Sequence, residues 1–104
     1  MTRAISLASG MSYAETQDKL YLTAQLLDCD RLCVCCYRHL LDYIFSYPRL
    51  DSTNMTVNDV CHRYPHGTLL VRVNGHLTTV IDGVIYDTWD CGNELVDIIW
   101  LAKY

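Results

Sequence analysis

No stretch of this 104-residue sequence approaches the roughly 18 consecutive apolar residues that cross a bilayer. No membrane partner is therefore expected. The run Ile5-Ser6-Leu7-Ala8-Ser9 is too short and too polar to be the core of a secretory leader. Clustered basic residues are missing as well. Eight Lys and Arg stand against twelve Asp and Glu, a net charge of −4, and the basic residues are scattered. That pattern excludes nucleic-acid binding by simple phosphate neutralisation. Internal repeats and linker-like stretches are also lacking, and the length leaves room for one hydrophobic core, so residues 1–104 read as a single domain. Only 19% of the residues are charged and about half are hydrophobic, which excludes intrinsic disorder.

Cysteine is abundant, with six residues. Four of them (Cys29, Cys33, Cys35 and Cys36) fall in one stretch with helical character, where closely spaced pairs rarely meet disulfide geometry. With no export signal, reduced thiols in a cytoplasm are the expectation. Cys33, Cys36 and His39 lie on neighbouring helical turns. A structural zinc site, however, pairs a short knuckle with a second pair from elsewhere, and only Cys61 and His62 are on offer. These thiols read as small apolar core residues, with no metal and no cofactor.

Along the chain, Thr2 to Ala8 reads as a short helix closed by Gly10. Ser12-Tyr13-Ala14-Glu15 has the capping-box pattern, opening a helix to about Leu27 with Tyr13, Leu20, Ala24 and Leu27 on one face. A third helix is expected over Arg31 to Ser46, stopped by Pro48. Its buried stripe would be Cys33, Cys36, Leu40 and Tyr43, with Arg38 and Asp42 facing out. Arg49 to Met55 reads as a polar loop, and Thr56 as the cap of a helix over Val57 to Tyr64. After the Pro65-His66-Gly67 breaker the period changes to two. Strands are expected at Leu69–Val73, His76–Ile81, Val84–Tyr86 and Leu95–Leu101, with Asp82-Gly83 as a two-residue hairpin turn. Helices followed by a strand meander make an α+β domain: three or four N-terminal helices packed on a C-terminal antiparallel sheet of about four strands.

His76 is the first candidate for chemistry. It opens a strand, and residues about equidistant from the Asp82-Gly83 turn face one another, so Asp87 or Asp90 can reach its ring. A carboxylate there would fix the imidazole tautomer and stabilise its protonated form. The eight Tyr and two Trp beside a single Phe are the second feature. Tyr and Trp combine apolar area with a hydrogen-bonding tip, so Tyr37, Tyr43 and Tyr47 along one helix form a candidate partner surface, weighed against tyrosines at the rim of the core.

The run from Gly67 to Gly83, continuing Val84-Ile85-Tyr86-Asp87-Thr88-Trp89-Asp90, resembles a family of small phage and prophage proteins similar in fold to papain-like cysteine hydrolases. Thr2-Arg3-Ala4-Ile5-Ser6-Leu7-Ala8-Ser9-Gly10 with Ser12-Tyr13 resembles the same family's opening helix. The likeness implies a papain-like fold with the first helix lying against the His76 strand. It implies His76 as general base and acid, Asp87 (or Asp90) as its orienting carboxylate, and Trp89 as a shield of that pair. The family's nucleophilic Cys, however, stands a few residues before the position of Arg3, which here is Met1 or beyond it. Cys91, Cys61 and the Cys33–Cys36 cluster are poorly placed as substitutes. Two functions follow from the likeness. One is a non-catalytic module that binds a host or phage protein through the groove (Trp89, Asp90) or through Tyr37 and Tyr43. The other is part of an active cysteine peptidase or amidase with its Cys upstream. Whether the chain is an enzyme is left open by the sequence.

Overall fold

The computed structural model describes residues 1–30, 33–87 and 90–103. Four helices come first or early: α1 (Thr2–Ser9), α2 (Tyr13–Leu27), α3 (Val34–His39) and α4 (Val57–Arg63). Five strands form one antiparallel sheet: β1 (Arg49–Leu50), β2 (Thr68–Val73), β3 (His76–Ile81), β4 (Val84–Tyr86) and β5 (Val96–Lys103), in the order β1-β5-β2-β3-β4. The α+β class is as expected, with one strand more than expected. Among the described residues no helix is long and apolar enough to cross a membrane.

The long central strands bury both faces, because alternate residues point to opposite sides and both sides are covered. Leu70, Leu77, Ile98 and Trp100 face α1, α2 and α3. Leu69, Val71, Val73, Val80, Ile99 and Leu101 face α4 and the segment before it. Gly10 closes α1 in the left-handed conformation, at φ 78°. At the β3–β4 turn both Asp82 and Gly83 have positive φ, 49° and 77°, the two-residue geometry whose twist matches a hairpin.

Several expectations need correction. On α2, Leu20 and Ala24 are buried as expected, but Tyr13 is exposed and Leu27 half-buried, and Thr16 and Thr23 complete the buried face. The two threonines enter the core because their hydroxyls bond back to the carbonyls of Ser12 (2.9 Å) and Lys19 (2.7 Å), leaving only methyl groups to pack. Ser12 does accept the Glu15 amide, at 3.1 Å, but its hydroxyl also donates to the Glu15 carboxylate at 3.3 Å, in place of a full capping box. The full box occurs on α4, between Thr56 and Asp59.

The third helix is not one continuous α-helix. Residues 31–32 lie outside those described, and beyond α3 the chain widens into a π-helical turn over Leu40–Ile44. The widening brings Leu41 into the core beside Leu40 and turns Tyr43 out, at 73% exposure. Asp42 does not face out. Its Oδ1 accepts the indole N–H of fully buried Trp100 at 2.8 Å, and both its oxygens bind the Arg49 guanidinium, at 3.0 and 2.6 Å. The same arginine lies over the Trp100 ring at 5.7 Å. These contacts hold Arg49–Leu50 as an edge strand on β5, where a polar loop was expected.

Burial works to raise the Asp42 carboxyl, but the Arg49 and Trp100 hydrogen bonds and the Arg49 charge outweigh it, leaving Asp42 below its ordinary 3.8. The sign is that of a depressed acid: its contribution to stability is present above about pH 3.8 and is lost as pH falls through the lower folded value. Asp42→Ala leaves the buried indole N–H without its acceptor and is expected to cost on the order of 1–3 kcal/mol at neutral pH in urea unfolding. The gap to wild type should shrink in acid.

Candidate functional site

The β3–β4 register brings His76 and Asp87 together. The register pairs Thr79 with Tyr86, Val80 with Ile85 and Ile81 with Val84. One step further, Asp87 comes level with Thr78, two residues along β3 from His76. Such diagonal neighbours lie on one face and within reach of long side chains. The His76 Nε2 and the Asp87 Oδ2 are 2.5 Å apart. The imidazole is 27% exposed and the carboxylate 11%, so the acid is sheltered behind the ring. Asp90 has another task, accepting the Gly92 amide at 3.2 Å. Trp89 lies outside the described residues.

A cavity of about 280 Å³ opens beside the ring. Gly75, His76 and Leu77 form one wall, and Met1, Val34, Tyr37 and Arg72 form the others. Sequence reasoning missed Arg72 and Met1 as wall residues. An arginine set between valines on a buried strand was the available signal for Arg72, since a charge there must find partners. It donates from Nε to the Tyr37 hydroxyl at 2.9 Å and forms an ion pair with Asp97. Burial pushes the Tyr37 phenol above its usual 10.0, against the pull of the Arg72 charge. Tyr37 is therefore a cavity wall, 6% exposed, while Tyr43 projects into solvent and Tyr47 packs half-buried against the core. The three tyrosines do not share one outward surface.

The opening helix reaches this site because its inner face is apolar. Ile5 and Ala8 are buried, and the buried Thr79 hydroxyl donates to the Ala4 carbonyl at 2.8 Å. This ties α1 to the strand that carries His76. Met1, the residue before α1, lines the cavity with the ring. Burial lowers the Met1 α-amine below its usual 8.0, opposed by the nearby Asp87 carboxylate.

None of the cysteines lines this cavity among the described residues. Cys91 is fully buried, and desolvation pushes its thiol up. Burial raises the Cys61 thiol too, on the far side of the sheet. Among the described residues no group of three or more ligating side chains is arranged to hold a metal. The arrangement can do three things: hold a proton at an oriented imidazole, offer a guanidinium and a phenol to the same small cavity, and present the start of a helix to whatever enters.

No family model, curated protein or solved structure matches this chain.

Thr79→Val removes the strand-to-helix hydrogen bond while keeping shape. It is expected to lower stability by about 1 kcal/mol and to speed amide exchange in α1 while leaving the β2 and β5 amides protected, as read by hydrogen-exchange NMR.

Proposed function

We propose that this chain is a papain-like domain of the phage type that uses the His76 cavity to bind a segment of a partner protein without cleaving it, acting as an inhibitor or modulator of a host protein. One observation carries the reading. The oriented His76–Asp87 pair stands on the wall of a cavity at the mouth of α1, while no thiol lines that wall among the described residues. An imidazole and a carboxylate without a nucleophile retain little hydrolytic power, but they remain a polar anchor. Arg72 and the Tyr37 hydroxyl line the same cavity and add donors, suited to the carbonyls and carboxylates of a peptide.

A second reading is favoured by the place of Met1. Because this residue lines the same cavity as the imidazole, a Cys just before α1 would stand beside the ring. There the helix amides and an imidazolium would both favour its thiolate. His76 would then take and return the proton through Nδ1 while Asp87 holds Nε2. The bond cleaved would be an amide or a thioester.

Single variants separate these readings. In pull-downs from host-cell lysate, a partner held through the cavity should be retained by wild type and Tyr43→Ala, and should lose at least about tenfold in affinity, roughly 1.4 kcal/mol, with His76→Ala. Its mass should be unchanged after incubation. Loss with Tyr43→Ala and retention with His76→Ala would overturn the cavity reading. For the hydrolase reading, a chain extended by an upstream Cys should take a thiol-directed activity probe, and His76→Ala should abolish labelling. Equal labelling of both removes His76 from catalysis.

A further inference from the structure

The cluster of thiols between α2 and α3 is not used by the site above, although it touches its wall. Cys33 is the residue before α3, with an extended backbone (φ −71°, ψ 143°), and this turns its side chain back over the first helical turn. Its Sγ meets the Sγ of Cys35 at 2.9 Å. Cys35 is exposed and Cys33 half-buried, whereas Cys36 is in the core and its thiol donates to the Leu20 carbonyl at 3.3 Å. The half-buried Cys29 thiol is also within hydrogen-bonding reach of Cys35. Cys33 and Cys35 combine a direct S···S approach of 2.9 Å with access to water, and they flank Val34.

We propose that Cys33 and Cys35 are a peroxide-responsive thiol pair that closes reversibly to a disulfide and thereby repositions Val34 in the wall of the His76 cavity. Val34 is the residue between them and lines that cavity. A bridge spanning one residue closes a small ring, and the first turn of α3 must adjust to accommodate it. Such exposed, constrained disulfides are the readily reduced ones.

The chemistry balances with hydrogen peroxide as the oxidant. The Cys33 thiolate attacks one peroxide oxygen. The S–O bond forms, the O–O bond breaks, and hydroxide leaves. The Cys35 sulfur then attacks the Cys33 sulfenic acid. The S–S bond forms, the S–O bond breaks, and the departing oxygen leaves as water with the proton from Cys35. In all, two thiols lose two electrons and two protons, and one peroxide becomes two waters. The electrostatics suit these roles. Cys33 is drawn below the ordinary 9.0, first by the Cys35 thiol and then by the Cys35 and Cys36 amides. The same contact with Cys33 pushes Cys35 up to about 12, so the pair gives up one proton early and holds the other.

Tryptic cleavage after Arg31 and Arg38 places Cys33, Cys35 and Cys36 on peptide 32–38 and Cys29 on peptide 20–31. After treatment of the full chain with about one equivalent of hydrogen peroxide and alkylation of the remaining thiols, mass spectrometry should show two of the six cysteines protected, with an internal disulfide in peptide 32–38 that dithiothreitol reverses. Cys35→Ser should instead trap a dimedone-reactive sulfenic acid on Cys33. The His76 ring resonance should shift on oxidation of wild type and not of Cys35→Ser. A bridge from peptide 32–38 to peptide 20–31, six thiols still free, or protection of all four thiols by added zinc would overturn the pair. A disulfide that forms without moving the His76 resonance would overturn its link to the cavity.

Discussion

The arrangement at His76 depends on how α1 is held against β3. A helix of eight residues has little stability of its own. It persists because Ile5 and Ala8 are withdrawn from water and because the Thr79 hydroxyl reaches the Ala4 carbonyl. That hydroxyl belongs to the strand that begins at His76, so one bond links the position of the helix to that of the imidazole. With α1 displaced, the cavity would lose the wall that Met1 supplies. The same constraint explains why the N-terminal and C-terminal halves of the chain cannot be treated as separate units. The sheet face carrying Leu70, Leu77 and Trp100 packs against the helices of the first half, with Ile5, Leu20, Tyr37 and Leu40 in the same core.

A second layer of polar contacts fixes the rest of the helical layer to the sheet. Asp42 joins Trp100 and Arg49, and Tyr37 joins Arg72 and through it Asp97. Each is a side chain of the α3 region, with the π-helical turn that follows it, meeting a charged or aromatic partner on the sheet. Contacts of this kind contribute modestly to net stability, yet they are costly to leave half-made, so they select one arrangement of the helices over others. The shape of the cavity follows from that selection, since Tyr37 and Arg72 are two of its walls.

Much of this was legible in the residues. The Asp82-Gly83 turn fixed the β3–β4 register, and with it the meeting of His76 and Asp87, because pairing on either side of a two-residue hairpin leaves no freedom. Gly10 and Thr56 marked helix ends through backbone and capping chemistry that acts locally. What was not legible required partners far away in the chain. Asp42 reads as a surface acid until Trp100 and Arg49 are folded against it, and Arg49–Leu50 reads as loop until β5 is beside it. Thr16 and Thr23 carry polar labels but bury methyl groups once their hydroxyls are satisfied by the helix itself. The π-helical turn after α3 moves Tyr43 outward, and no periodicity of 3.6 foretells a change of period. Likewise, the cavity walls Met1 and Arg72 become neighbours only through tertiary packing.

The central claim is that Asp87 holds the His76 ring through Nε2 at the mouth of the first helix. A carboxylate can only accept, so a neutral ring in this position must carry its proton on Nε2. Long-range ¹H–¹⁵N correlation NMR of the imidazole nitrogens, recorded above neutral pH, reads the tautomer directly. The Nε2–H form is expected in wild type, and it should give way to a mixture of tautomers in Asp87→Ala. A wild-type ring protonated at Nδ1, or nitrogen shifts unchanged by the substitution, would contradict the account.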